Sequence, residues 1–173
     1  MIWESLNSYA QIKREIKTVC REHPNELVTT LIDYSPLIEL DLEYDNQGTV
    51  LDTVRSKEGA IEQDICMPNL IMNFELHEFE AYLYCNPDAY GEFGKNAPKR
   101  IREIVEKAGG PELINTDVNK LPSKRMNEVI KGYTDSKVYY TNILLDRITL
   151  DQIRVLCPHL NEWLDKIVSR CKQ

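Results

Sequence analysis

The stretch from Asn69 to Tyr84 constrains this chain more than any other. It opens as an apolar run, Leu70, Ile71, Met72 and Phe74 through Leu76, with the length and composition of a strand covered on at least one face. From about Glu78 the pattern changes. Phe79, Tyr82 and Leu83 fall at i, i+3 and i+4, which predicts a helix. The junction carries His77, Glu78 and Glu80. In open α/β sheets ligands gather beyond the carboxyl ends of strands, so these three are candidate catalytic residues. Acids in the first turn of a helix are also favoured by its dipole, by about 0.3–1 kcal/mol each, so the position has a structural explanation too.

A second strand is written in Glu26 to Asp33, where Val28, Thr29, Thr30 and Ile32 are β-branched. Asp33 ends it. A carboxylate there is a suitable ligand for a hard cation such as Mg²⁺; it is equally suited to capping the turn into Tyr34-Ser35-Pro36. Residues 38–44 supply either a third, edge strand or an acidic surface loop.

Helices account for most of the remainder. Residues 4–22 carry a stripe of Tyr9, Ile12, Ile16 and Val19, and residues 50–66 one of Val50, Val54, Ile61 and Ile65. Asn86-Pro87-Asp88 reads as a cap restarting a helical turn. A basic amphipathic helix over 98–108 ends at Gly109-Gly110. Pro122 opens another, whose first turn holds Ser123, Lys124 and Arg125, a hydroxyl and two cations where a phosphate can bind. Lys and Arg are also ordinary surface residues. Residues 136–147 form a helix with Val138, Tyr139, Ile143 and Leu144 apolar, and Thr149 to Gln152 is a capping box. The last helix begins at Cys157-Pro158-His159, with Leu160, Trp163, Leu164 and Ile167 on one face. His159 and Trp163 read as structural packing residues.

The net charge of −7 provides no general field for nucleic acid, so any such contact needs a local basic patch. Five widely spaced cysteines without a C-x-x-C pair imply free thiols in a reducing, cytoplasmic compartment. No apolar run reaches the roughly 18 residues of a membrane span.

Several of these blocks, taken together, resemble a bacterial family called domain of unknown function 4276. They are Thr29 to Tyr34, Phe74 to Leu83 with Asn86 to Tyr90, Pro122 to Arg125, Gly132-Tyr133, and Ile153 to Trp163, in that order over residues 12–168. The family is similar to Toprim proteins, whose α/β fold binds Mg²⁺ through carboxylates and organises phosphodiester chemistry, often beside AAA-type ATPases in phage-defence settings. The resemblance implies Asp33 as the acid of the later strand and matches Glu80 to a metal-site acid. Joined to the reading of the residues, Asp33 and Glu80 are expected as metal ligands, Glu80, Glu78 and His77 as catalytic groups, and Ser123, Lys124 and Arg125 as the phosphate or nucleic-acid contact. Family members usually open with a strand carrying a V-E-G-x-x-E-like motif, which this chain lacks, and Ser35 stands where a D-x-D pattern has its second acid.

The expected architecture is α/β: a small, mainly parallel Toprim-like sheet flanked by helices over 1–93, incomplete at its start, then a helical portion over 94–173 packed on it. The expected function is a Mg²⁺- or Mn²⁺-dependent nuclease-like subunit acting with an ATPase. The alternative is a non-catalytic module that docks an ATPase or a complementary N-terminal subunit. No membrane partner is expected; nucleic acid and a homo-oligomer stay open.

Overall fold

A computed structural model describes residues 8–34, 42–76, 78–114 and 121–172. Two compact units divide them: Met1–Glu75 with Trp163–Gln173, and Leu76–Glu162.

The first unit is built from α1 (Tyr9–Glu22), β1 (Val28–Thr29), β2 (Ile32–Asp33), α2 (Val50–Ile65), β3 (Leu70–Ile71) and β4 (Phe74–Glu75). Ser8 caps α1 by accepting the Gln11 N–H. Thr49 and Asp52 cap α2 reciprocally, and Cys66 ends it in the left-handed region at φ 54°. The α1 stripe is Ile12, Ile16 and Cys20; Val19, expected inside, is exposed because the i, i+4, i+8 row turns past it. In α2 Val54, Ile61 and Ile65 are buried as expected, while Val50 is exposed at the cap. Tyr9 and Lys13 of α1 both reach Asp64 of α2, the lysine at 2.7 Å.

Each expected strand forms, in two short pieces. β1 pairs with β3 and β2 with β4, both parallel, with Val28 opposite Leu70 and Ile32 opposite Phe74. The interruption has a cause in Thr30. Its buried hydroxyl enters the ladder, accepting the Asn73 N–H and donating to the Asn73 carbonyl, each at 2.8 Å. A side chain thus does the work of one backbone rung. On the far side of β3 and β4, Glu62 accepts the Met72 N–H at 2.8 Å and Glu58 the Phe74 N–H at 2.7 Å. Two carboxylates of α2 therefore satisfy an edge that no strand covers among the described residues. The third-strand segment lies partly outside the described residues; 42–48 contains no strand.

The second unit is helical: α3 (Glu80–Leu83), α4 (Ala97–Ala108), α5 (Pro122–Val129), α6 (Lys137–Leu145), α7 (Leu150–Leu156) and the start of α8 (Pro158–Arg170), whose later turns belong with the first unit. Gly109 ends α4 at φ 83°, which a side chain would strain. Leu83, Tyr84, Tyr90, Ile101, Met126, Tyr133 and Leu144 are fully buried. The tyrosines stay satisfied: Tyr84 donates to the Pro122 carbonyl at 2.8 Å and Tyr90 to that of Leu83 at 3.1 Å. On α6 only Leu144 is buried; Val138 and Tyr139, expected inside, are 75% and 64% exposed. That segment is apolar on all sides, so composition did not mark its inner face. Phe79, expected in the α3 stripe, is half exposed just before a helix of a single turn.

The architecture is thus mixed α/β, with two small parallel strand pairs flanked by helices, then a helical stretch. Among the described residues no helix is long and apolar enough to cross a membrane.

Candidate functional site

Two groupings of polar side chains stand out, one in each unit. In the first, Asp33 closes β2 and Glu75 closes β4, and the two are partners in the parallel register. Partners in register leave the sheet on the same face. The Tyr34 N–H donates to the Glu75 carbonyl at 2.6 Å, fixing the strand ends together. Asp33 is exposed and Glu75 buried, so one acid of the pair is anchored and the other reaches solvent. Beside Tyr34 lies Lys57, itself buried. Its ammonium stands 5.1 Å from the centre of the Tyr34 ring, 5.0 Å from that of Tyr44 and 3.5 Å from the Tyr34 hydroxyl. Such contacts stabilise a desolvated ammonium by up to about 2 kcal/mol.

In the second unit the grouping starts at Glu80, the first residue of α3, whose side chain is only 10% exposed. Its Oε1 lies 2.8 Å from Nζ of Lys137, the first residue of α6. A cation at a helix N-terminus is opposed by the dipole, and the carboxylate offsets this. The hydrogen bond to Glu80 also holds the Lys137 ammonium above the usual lysine range, so it is charged at neutral pH. Tyr133 adjoins the same carboxylate. Burial pushes its phenol up, the bond to Thr141 at 3.1 Å opposes this, and the Glu80 charge adds to it, for a value of about 12. Glu78 lies near the same group: its charge also favours the Lys137 ammonium and raises the Tyr133 phenol, while its Oε2 accepts the Ser123 N–H at 2.9 Å, at the start of α5.

Of the sequence-predicted residues, Glu78 and Glu80 therefore lie in one unit with Ser123, Lys124 and Arg125, while Asp33 belongs to the other. His77 lies outside the described residues. At the start of α5, Ser123 is buried and its N–H already holds the chain's own Glu78 carboxylate; Lys124 is exposed. Arg125 is half-buried, and its charge opposes the upward push that burial gives the Tyr84 phenol. His159 and Trp163 are placed by hydrogen bonds. The His159 N–H reaches Glu112 Oε2 at 3.0 Å, and Trp163 Nε1 donates to Thr29 Oγ1 at 2.7 Å. Cys85 and Cys157, both buried, lie 3.5 Å apart without a disulfide between them.

Sequence reasoning assigned no functional role to Glu75 or Lys137, and gave Tyr133 only as part of the Gly132-Tyr133 block. Glu75 had a signal, because it shares an end-of-strand position with Asp33, but it required the register. Lys137 had none, since only the tertiary fold brings it to Glu80.

The two groupings differ in how they suit a divalent cation. Asp33 and Glu75 are carboxylates at neighbouring strand ends, the hard-oxygen type of group that Mg²⁺ takes as a ligand. One oxygen of Glu80 already carries the Lys137 ammonium. Among the described residues no group of three His, Cys, Asp or Glu is placed to hold a metal.

A family described as a domain of unknown function, DUF4276, matches residues 1–168. No curated protein and no solved structure matches the chain.

Proposed function

The chain belongs to the DUF4276 family, and from that premise we propose that it is a nuclease-like, phosphodiester-hydrolysing subunit that works with an ATPase partner. The in-register pair Asp33 and Glu75, at the carboxyl ends of neighbouring parallel strands, carries this reading. Those two residues would hold Mg²⁺ or Mn²⁺. When bound, such an ion supplies charge stabilisation at a phosphoryl oxygen and an activated water. The chain's own contribution is to hold the two strand ends that carry them side by side. The Tyr34 N–H locks β2 to β4, and Glu58 fixes β4 from its far side.

The test is cleavage of labelled single- and double-stranded DNA and RNA by the whole chain in Mg²⁺ or Mn²⁺, alone and with a candidate AAA-type ATPase. Asp33→Asn should lower the rate by at least about tenfold, as loss of a metal ligand or its support does. Cleavage unchanged by Asp33→Asn, or by chelation of the metal, refutes the reading.

A second reading has one observation in its favour. β1 and β2 each have a single strand partner among the described residues, and Leu31, on the segment joining them, is 55% exposed. A non-catalytic module that docks an ATPase or a complementary N-terminal subunit would add a strand there. Hydrogen exchange at Thr29, Leu31 and Asp33, slowed by the partner but not by metal, would favour this reading.

A further inference from the structure

We infer that Lys137 is the built-in cation of Glu80: the ammonium fills the place of a metal at that carboxylate and turns its remaining donors to a phosphate oxygen of the ligand. Glu80 is on this account a positioning residue for Lys137, and Lys137 is the group that touches the ligand. The inference rests on the phosphodiester reading for the nature of that ligand.

Three observations carry it. Glu80 is nearly enclosed, with its side chain 10% exposed, whereas the Lys137 side chain is 45% exposed. The pair therefore has a buried, fixed end and an open end, where the ammonium stands within the charge of both Glu80 and Glu78. An ammonium has three donors, and the contact with Glu80 at 2.8 Å uses one, leaving two for solvent or ligand. Finally, Glu80 has a second neighbour. Tyr133, fully buried and hydrogen-bonded to Thr141, adjoins the same carboxylate, whose charge raises its phenol. A lysine on a flexible stem is a poor recognition element because its rotamer freedom must be surrendered on binding. Here the carboxylate has already restricted that freedom. Lys124 and Arg125, the cations that the sequence offers first, differ in setting. Lys124 is exposed at a helix start whose Ser123 N–H already holds Glu78. Arg125 is half-buried beside Tyr84.

The geometry also separates two roles that a carboxylate-rich family would otherwise merge. A divalent ion on Glu80 would have to displace an ammonium in hydrogen-bond contact and leave it beside a like charge, which disfavours the exchange. Metal binding and phosphate contact are thus assigned to different side chains.

Two measurements on the whole chain test this. The first is Mn²⁺ binding followed by electron paramagnetic resonance. Glu80→Gln should leave the affinity within about twofold of wild type, because it removes no ligand. A loss of about tenfold or more in Glu80→Gln would overturn the inference. If Asp33→Asn also leaves Mn²⁺ binding unchanged, the proposed metal site in the first unit fails while the assignment of Lys137 stands. The second is the salt dependence of binding to a fluorescent oligonucleotide. Removing one phosphate contact lowers the slope of log affinity against log salt by about one. Lys137→Met should show that drop, Lys137→Arg should restore it, and Lys124→Ala should retain the wild-type slope. An unchanged slope in a folded Lys137→Met protein refutes the phosphate contact. Failure of wild type to bind any oligonucleotide refutes the phosphodiester reading and the ligand assigned here with it. Circular dichroism on each variant separates these outcomes from unfolding.

Discussion

Glu112 holds the first turn of α8 through His159. One of its carboxylate oxygens accepts the His159 N–H at 3.0 Å and the other the Leu160 N–H at 2.9 Å. The acid is buried, and so is His159. Pro158 needs no partner at the first helical position, so the carboxylate satisfies the next two donors of the helix. Burial raises the Glu112 carboxyl above its ordinary value of 4.5, and the two N–H bonds only partly oppose this. A group with a raised folded-state pKa binds protons more readily when folded. Its favourable contribution is complete below the ordinary value and is lost as pH rises through the raised one. Glu112→Gln should therefore remove a decline in stability that begins near pH 4.5. Glu112→Ala should cost about 2–3 kcal/mol, because two buried donors lose their acceptor. Urea unfolding of wild type and both variants across this pH range checks the sign: a wild-type stability that rises there relative to Glu112→Gln overturns the account.

Glu78 plays the same part for α5, accepting the Ser123 N–H at 2.9 Å. A side-chain acceptor at a helix start contributes about 1 kcal/mol. Glu78→Ala should lower stability by about that amount, while the exposed Lys124→Ala stays within about 0.5 kcal/mol of wild type. If Glu78→Ala left thermal unfolding unmoved but abolished a measured activity, the residue would be catalytic and its contact with α5 incidental.

These two contacts show what the sequence could and could not disclose. Local rules located the elements well. Pro122, Pro158, the Thr149 capping box and Gly109 all mark helix ends where the fold has them. The two strand segments and Asp33 at the end of one are likewise visible as β-branched or apolar runs bounded by polar residues. What stayed hidden is which distant group completes each local feature. Neither the Glu112 to His159 bond nor the Lys137 to Glu80 pair has a periodic or compositional trace, because the partners are 47 and 57 positions apart, the latter from the difference 137 − 80. The inner face of α6 was hidden for the opposite reason. A segment with apolar residues all round gives the hydrophobic stripe no direction.

Thr30 offers a sharper test of how the strands hold together. Its hydroxyl both accepts from and donates to the Asn73 backbone in a buried setting. Thr30→Val keeps the shape and removes both bonds, orphaning a buried N–H and carbonyl. The expected loss is about 1–3 kcal/mol. Thr30→Ser keeps the hydroxyl, so most of the stability should remain. Chemical denaturation of the two variants decides it: equal stability of Val and Ser at this position would mean that the hydroxyl is no part of the ladder.

α2 covers a strand edge with its carboxylates. Met72 and Phe74 point their N–H groups away from β1 and β2 toward Glu62 and Glu58. A carboxylate accepting a backbone N–H satisfies the edge without offering the alternating donors and acceptors that another strand needs. It also places negative charge where an approaching strand would dock. Glu58 is buried, so Glu58→Ala should both destabilise, by about 1–3 kcal/mol, and leave the Phe74 N–H open. Glu62 is less buried, and Glu62→Ala should expose Met72 N–H at a smaller cost. The double variant should therefore self-associate with a steep dependence on concentration, read by light scattering below its unfolding temperature. Wild type should not. A double variant that stays monomeric while folded would show that the shape of α2, and not its carboxylates, guards this edge; the second reading, in which a partner strand adds beside Leu31, would then lose its reason for favouring the opposite side.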